Sequence, residues 1–181
     1  MACVIANGRI EQCKDSVGGL KAVYFINYQI EKSDVTYDAT NTDMITTITN
    51  VDTLYKFELK GENSFEQNII TDRNNGTTYF EQTLSLKLKK QDIATSKNIK
   101  LLAYGRPHVV VEDNNGKFFI MGLNHGADVT GGNIAGGLKM SDFNGYSLTF
   151  KAEEECYANF LNASTQAAMV TLFTSATLVT S

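Results

Sequence analysis

The chain has 181 residues, and its length and composition are those of one globular domain. Hydrophobic residues make up 43% of the chain, charged residues make up 20%, and the single proline, Pro107, excludes a proline-rich stalk or linker. The formal net charge is −4, and Lys and Arg nowhere cluster with aromatic residues, which argues against a dedicated nucleic-acid-binding protein. We therefore expect one domain over residues 1–181.

Apolar and polar residues alternate in many parts of the chain, which is typical of β-strands that bury one face and expose the other. Turn-forming residues separate these segments. The pattern predicts a mainly β fold, an antiparallel β-sandwich or barrel. In chain order, the predicted strands are Ala22–Tyr28, Met44–Asn50, Tyr55–Lys60, Phe65–Asp72, Thr77–Lys89, Val109–Glu112, Lys117–Met121 and Tyr146–Lys151.

Two tight hairpins are predicted among these strands. Asn74-Asn75-Gly76 joins Phe65–Asp72 to Thr77–Lys89, and Asn114-Asn115-Gly116 joins the next two strands, because Asn-Gly supplies the positive φ angles of a hairpin turn. The strand Thr77–Lys89 is about twice the usual length of ~5–6 residues. Its alternation predicts an inward-facing row of apolar side chains, namely Phe80, Leu84, Leu86 and Leu88.

One internal helix is predicted over Asp92–Tyr104. Asp92 or Thr95 serves as its N-cap, and Gly105-Arg106-Pro107 ends it. A second short helix is predicted from Glu153 to Leu161, because the glutamates at its start favour the positive end of a helix dipole.

Three segments do not fit these elements. Asp34–Asn41 is polar and predicts a long loop, and Gly122–Gly137 has too many glycines for regular structure. Ala163–Ser181 is apolar and rich in β-favouring residues, and we interpret it as an extended C-terminal arm. An exposed apolar arm promotes aggregation, so it should either close the domain's own sheet or add a strand to a neighbour.

The histidines predict no catalytic or metal site, since two are too few for most sites built on several histidines. His108 begins a valine-rich strand and is interpreted as a partly buried structural imidazole. His125 lies near Asp128 in the glycine-rich segment, and a cysteine would have to join them to complete a metal site. No metal ligands are therefore predicted.

The three cysteines, Cys3, Cys13 and Cys156, cannot all pair within one chain. They have no CxxC spacing, so each is interpreted as a small apolar side chain. The first residues lack the apolar core of a signal peptide, and no stretch approaches the ~20 apolar residues of a membrane span. We expect synthesis in the cytoplasm and no membrane insertion.

The remaining motifs that suggest catalysis or ligand binding lack the residues or the geometry that such sites require. The segment GGNIAGG, residues 131–137, lacks both the Gly-Lys-Ser/Thr ending of a phosphate-binding loop and the GxGxxG pattern of a dinucleotide site. Glu153, Glu154 and Glu155 are consecutive, so their carboxylates point in different directions and form no acid–base pair. No Gly-x-Ser-x-Gly motif and no convincing Cys/His pair supplies a nucleophile. We expect no enzyme, no catalytic residues and no cofactor.

The order of the predicted elements resembles that of bacteriophage tail tube proteins and the related tube subunits of contractile injection systems. Alternating strands precede the single helix Asp92–Tyr104, which leads into the hairpin Val109–Met121. A closing strand, Gly145–Phe150, comes before glutamate-rich residues and the terminal segment. The resemblance is one of layout and covers most of the chain.

This resemblance implies a structural protein of the virion tail, assembled in the host cytoplasm. Its copies would form hexameric rings that stack around a lumen through which DNA passes without specific binding, and they would contact other tail proteins. An acidic chain agrees with such a lumen, since it repels phosphates. We expect Phe65–Asp72 and Thr77–Lys89 to form the tube wall. The expected ring-to-ring contacts are Asp34–Asn41, Gly122–Gly137 and Ala163–Ser181.

Three alternatives remain open from the sequence. One is another virion subunit, in the neck, the tail hub or the capsid decoration. The eight tyrosines and ten phenylalanines on a loop-rich β scaffold fit a β-sandwich adhesin or binding module. An enzyme of unrecognised class would require a deep pocket around His125 and Asp128.

Overall fold

The computed structural model describes Ile5 and residues 7–180, and it shows a mainly β architecture. Two α-helices accompany the strands, α1 (Ile93–Tyr104) and α2 (Gln166–Leu172), together with a 3-10 turn (Lys32–Asp34). The strands, in chain order, are β1 (Leu20–Ile26), β2 (Val35–Tyr37), β3 (Met44–Ile48), β4 (Thr53–Glu58), β5 (Ser64–Asp72), β6 (Thr77–Lys89), β7 (His108–Asp113), β8 (Phe118–Met121), β9 (Asp128–Ala135), β10 (Gly145–Glu154), β11 (Asn159–Leu161) and β12 (Thr177–Val179).

The strands form two sheets. The large sheet has eight strands in the order β12-β4-β1-β7-β8-β11-β3-β2, and the small sheet has four in the order β5-β6-β10-β9. Neighbouring strands are antiparallel except for β11 with β3 and β12 with β4. The predicted mainly β sandwich with an internal helix is confirmed, and the large sheet stays open rather than closing into a barrel.

The large sheet is buried on both faces, which explains the apolar run Ala22–Ile26 of β1. Val23 and Phe25 point toward the small sheet and α1, whereas Tyr24 and Ile26 point to the opposite face, which α2 covers. The cluster between the sheets also contains Leu84, Leu86, Ile99, Val109, Val111, Tyr146, Leu148 and Phe150. Two apolar clusters, one on each side of the large sheet, therefore hold the fold together.

The internal helix is confirmed, and the second predicted helix is wrong. The carboxylate of Asp92 caps α1 by accepting the N–H of Thr95 at 2.7 Å. Glu153 and Glu154 instead end β10, and Asn159–Leu161 forms β11. The physical reason is the alternation of β10, which continues to the end of the strand and turns the Glu154 side chain inward.

The C-terminal segment, residues 163–181, was expected either to close the domain's own sheet or to add a strand to a neighbour, and its described part, residues 163–180, takes the first course rather than extending as an arm. This segment forms α2 and β12, and β12 pairs with β4. Met169 is fully buried, Phe173 is 2% exposed, and Phe173 forms a β-bridge with Ile48. The apolar side chains of the segment cover the face of the large sheet that the small sheet leaves open, so the segment closes the domain's own sheet. Ser181 lies outside the described residues.

The two predicted loops contain strands. In the glycine-rich segment Gly122–Gly137, residues 128–135 form β9, because glycine lets the backbone approach β10 closely. A Cβ atom at Gly132 would lie 2.9 Å from Leu148 Cδ2. In the polar segment Asp34–Asn41, residues 35–37 form β2 against β3, and the rest forms a turn. The eight predicted strands all coincide with observed strands to within a few residues.

Candidate assembly interface

The small sheet ends in two strands, β5 and β9, which have a strand partner on one side only within the described chain. They are of similar length, nine residues in β5 and eight in β9. Neither contains a lysine or a proline, the residues with which edge strands are often protected against pairing. Both edges therefore offer unpaired backbone groups to another strand.

The register fixes which backbone groups of β9 face the open side. At the end of the β6–β10 pair, the N–H of Lys90 donates to the carbonyl of Asn144 at 2.8 Å. Because bonded and non-bonded pairs alternate in an antiparallel ladder, Ser147 turns its backbone groups toward β9 and its partner Asn133. The N–H of Ile134, the next residue of β9, consequently points to the open side.

The same alternation assigns the open groups of β5. The side chain of Asn63 accepts the N–H of Lys87 at 2.8 Å, so odd-numbered residues of β6 turn toward β5. Ser85 is paired with Ser64, which leaves the N–H groups of Gln67 and Ile69 on the open side of β5. Ile69 is 66% exposed, so nothing in the described chain covers this part of the edge.

The outer face of the small sheet carries short polar side chains at its centre. One row across all four strands consists of Ser64, Ser85, Thr149 and Gly131. Charges flank this row on both sides, with Glu81 and Glu153 paired toward one end and Lys87 and Lys89 toward the other. The face is hydrophilic, as expected for a sheet with one face in water.

The predicted long hairpin is confirmed, and it extends beyond its neighbours. The pairing of β6 with β10 ends at Phe80, whereas the pairing of β6 with β5 continues to Thr77. The turn is held by the carboxylate of Asp72, which accepts the N–H groups of Asn74 at 2.8 Å and Asn75 at 3.2 Å. The tip therefore projects past the end of the sheet.

His108 is a structural residue, and the structure buries it completely. Its Nδ1 lies 2.6 Å from the carbonyl of Gly122, and its Nε2 accepts the N–H groups of Gln29 at 3.3 Å and Ile30 at 3.2 Å. These partners fix a neutral imidazole with the proton on Nδ1. Burial lowers the pKa of His108, which favours the same neutral form.

His125 is paired with Glu154. The Glu154 carboxylate is 4% exposed and accepts the N–H groups of Asn124 at 3.0 Å and His125 at 2.8 Å. The ring Nδ1 of His125 lies 3.3 Å from the same carboxylate, while Asp128 begins β9 opposite Lys151. Glu154 thus fixes the turn before β9. Among the described residues, no group of three His, Cys, Asp or Glu side chains is placed to hold a metal ion.

The interpretation of the cysteines as apolar side chains is wrong for two of them. Cys13 and Cys156 are exposed free thiols, and Cys3 lies outside the described residues. Partial burial of its sulfur, followed by the charge of Glu154, raises the pKa of the Cys156 thiol although the residue as a whole is exposed. A raised pKa leaves less thiolate at neutral pH, which gives this thiol no special reactivity.

Two grooves flank α1. The first, of about 470 Å³, is lined by lysines from β4, β6 and the segments that follow them, namely Lys56, Lys60, Lys87, Lys89 and Lys90. The second, of about 430 Å³, is mainly apolar and includes Phe25, Tyr28, Tyr55, Phe57 and Leu101. Arg106 lies over the Tyr28 ring in this second groove, 4.2 Å from its centroid. Neither groove includes His125 or Asp128.

Sequence reasoning missed the edge β9 and the lysine groove. The glycines of β9 suggested a loop, although the alternation of Val129 with polar neighbours was an available strand signal. The groove brings Lys60 next to Lys89 and Lys90, which are about 30 positions away in the chain. In the sequence, only the adjacent pair Lys89-Lys90 at the end of a predicted strand indicates part of this groove.

Neither α1 nor α2, the helices of the described chain, is long and apolar enough to cross a membrane.

Comparisons with known proteins add no family to this description. No protein-family model, no curated protein and no solved structure matches this chain.

Proposed function

We propose that this chain is a self-assembling structural subunit that joins copies of itself through β5 and β9 of the small sheet. The observation that carries the proposal is the presence, in one sheet, of two long edges that have open N–H groups and contain neither lysine nor proline. The further assignment, to the tail tube of a virion, rests on the resemblance in element order. In that role each copy would also contact other tail proteins.

The strand directions favour assembly of one subunit type. Because the small sheet contains four strands that are all antiparallel to their neighbours, β5 and β9 run in opposite directions. When β9 of one copy lies beside β5 of an identically oriented copy, the antiparallel order continues across the junction. Such a contact joins different surfaces of the two copies, and it generates a ring when the rotation closes.

A ring of six copies would enclose a lumen whose circumference follows from the number of strands. It would contain about 24 strands, and at about 4.8 Å per strand its circumference would be at least roughly 115 Å. The outer face of each small sheet would line the lumen with the hydroxyls of Ser85 and Thr149 at its centre. Short polar side chains leave the passage open and give DNA no base-specific contacts.

The proposal is tested by blocking one edge without disturbing the fold. In Ile134→Pro the open N–H of β9 is lost, and edge strands tolerate proline where the N–H faces solvent. The matched control Ile134→Thr loses the same apolar side chain but keeps the N–H. We expect rings or tubes in negative-stain images of the wild type and the control, and monomers of Ile134→Pro with an unchanged circular dichroism spectrum. Equal assembly of both variants would contradict edge pairing.

A neck, hub or decoration subunit would use the same edges but stop at a single ring. The distinguishing result is the length of the assemblies, since a tube subunit stacks its rings without limit. Discrete rings at every concentration would favour one of these other virion roles.

A binding module is the second candidate, and the mainly apolar groove beside α1 favours it. Tyr28 is 44% exposed and Tyr55 is 39% exposed, so aromatic surface is open to a ligand there. Saturation-transfer NMR against monosaccharides and short apolar peptides tests this function. Binding that is lost in Tyr28→Ala would support it, and the absence of binding at millimolar concentration would count against it.

A further inference from the structure

We infer that rings of this protein stack by charge, with the lysine groove of each copy receiving the glutamate-rich end of a copy in the next ring. This inference rests on the proposed function and names a second contact, along the strands rather than across them. The occupant of the groove is thus a second copy of this chain. Charge complementarity between the two ends of the small sheet carries the argument.

The first end, the lysine end, comprises Lys60, Lys87, Lys89 and Lys90, which are all exposed around the groove. Lys87 is already paired with Glu62. Lys60, Lys89 and Lys90 form no ion pair with any described residue, although Asp92 also lines the groove. The groove therefore has uncompensated positive charge at the end of the strands.

The second end, the glutamate end, comprises Glu81, Glu153, Glu154 and Glu155. Glu81 and Glu153 share one cation, Lys151, whose Nζ lies 2.7 Å from Glu81 and 3.1 Å from Glu153. Outside this group, Lys32 lies 3.6 Å from Glu155, in a pair whose two side chains are both more than 70% exposed. Three carboxylates thus share two lysines, and the fourth, the buried carboxylate of Glu154, is paired with His125.

The thiol of Cys156 lies close to these carboxylates, and its pKa responds to their negative charge. Burial raises the pKa of Cys156, and the nearby charges of Glu154, Asp43 and Glu155 raise it further, whereas Lys32 opposes them. A negative potential disfavours the thiolate, so the carboxylates outweigh the lysine at this point. The carboxylates around Cys156 therefore act on its thiol in the same direction as burial.

The two ends are placed for contact between rings. They lie near opposite ends of the β6–β10 pairing, from Glu81 to Lys89, which at about 3.4 Å per residue is a separation of roughly 27 Å along the strand, and the tip of the β5–β6 hairpin extends past the glutamate end. In a barrel built from small sheets the strands run at a tilt of about 35–45° to the axis, so one strand end faces each neighbouring ring. All copies in a ring share one orientation, so rings stacked in the same direction bring lysine ends to glutamate ends at every junction.

Such a contact makes the tube polar and sensitive to salt. Two lysine ends repel each other, as do two glutamate ends, so rings add in one orientation only. The charges are exposed, and the screening length falls from about 8 Å at 0.15 M salt to about 3 Å at 1 M. We therefore expect wild-type tubes to dissociate into rings between 0.15 and 1 M NaCl, while backbone pairing within each ring persists.

The decisive experiment reverses the charges at one end and then at both. Lys89→Glu/Lys90→Glu is expected to form rings that do not stack, with mean tube length reduced at least tenfold in negative-stain images. Adding Glu153→Lys and Glu155→Lys to the same chain reverses both ends and should restore the tubes. The control Lys97→Glu/Lys100→Glu makes the same charge change on α1, outside the groove, and should leave tube length unchanged.

The outcomes separate this inference from the proposed function. Unchanged tubes of the Lys89→Glu/Lys90→Glu variant, or wild-type tubes that survive 1 M NaCl, would overturn charge-driven stacking and leave ring formation intact. If the variant with all four substitutions forms rings with an unchanged circular dichroism spectrum but these rings do not stack, charge-driven stacking is overturned as well. A wild type that forms no rings would overturn both the inference and the proposed function.

Discussion

The C-terminal segment is expected to stabilise the fold of each copy, and Met169 gives the sharpest test. This side chain is completely buried in the cluster between α2 and the large sheet. Met169→Ala removes three buried heavy atoms and leaves a cavity, for which comparable substitutions cost about 2–5 kcal/mol. A loss of about 3 kcal/mol in a chain of this size lowers the melting temperature by roughly 6–12 °C.

Denaturant unfolding of Met169→Ala beside Thr171→Ala measures this effect. Thr171 is exposed on the same helix, and its hydroxyl only bonds the Ala168 carbonyl, so its substitution should change the free energy of unfolding by less than about 0.5 kcal/mol. Deleting residues 163–181 should abolish cooperative unfolding, because β12 is lost together with Met169. A truncated chain that unfolds at the wild-type midpoint would refute the reasoning and restore the interpretation of this segment as an arm.

Two further predictions concern buried polar groups. Tyr24→Phe should lower the free energy of unfolding by about 1.5–3 kcal/mol, because the Tyr24 hydroxyl donates to the buried Glu112 carboxylate at 2.6 Å. Without it, only Lys21 would remain as a partner of Glu112. An unchanged urea midpoint would contradict this prediction. Burial lowers the pKa of His108, so the unfolded chain binds its proton more tightly, and stability should fall as the pH drops below about 6.5, by up to about 1.4 kcal/mol per pH unit. His108→Gln should flatten that dependence between pH 7 and pH 5, and equal slopes in urea titrations would contradict the assignment.

Strands with one wet face were predictable from the sequence because their alternation is local. The strand Thr77–Lys89 was predicted with its observed bounds, and so was its turn at Asn75-Gly76. The helix α1 was predictable for the same reason, since Asp92 and Gly105 mark its ends within a few residues.

The elements that were missed depend on contacts between distant residues. The C-terminal segment reads as an arm when considered alone, and only the open face of the large sheet explains why Met169 and Phe173 fold back. The helix predicted at Glu153 failed because pairing with β6 outweighs a local preference for the helix dipole. The unpaired edge β9 is a property of the strand order, which no single segment contains.

The central claim is that β9 of one copy pairs with β5 of the next, and hydrogen exchange tests it most directly. Peptides spanning residues 65–71 and 130–135 contain the open N–H groups of Gln67, Ile69 and Ile134, whereas the hairpin turn at residues 73–76 serves as an internal control. We predict slow exchange of both edge peptides in assembled wild-type protein, fast exchange of the β5 peptide in the Ile134→Pro monomer, which has no N–H at position 134, and an unchanged rate in the turn. Rings whose edge peptides exchange as fast as those of the monomer would contradict the account.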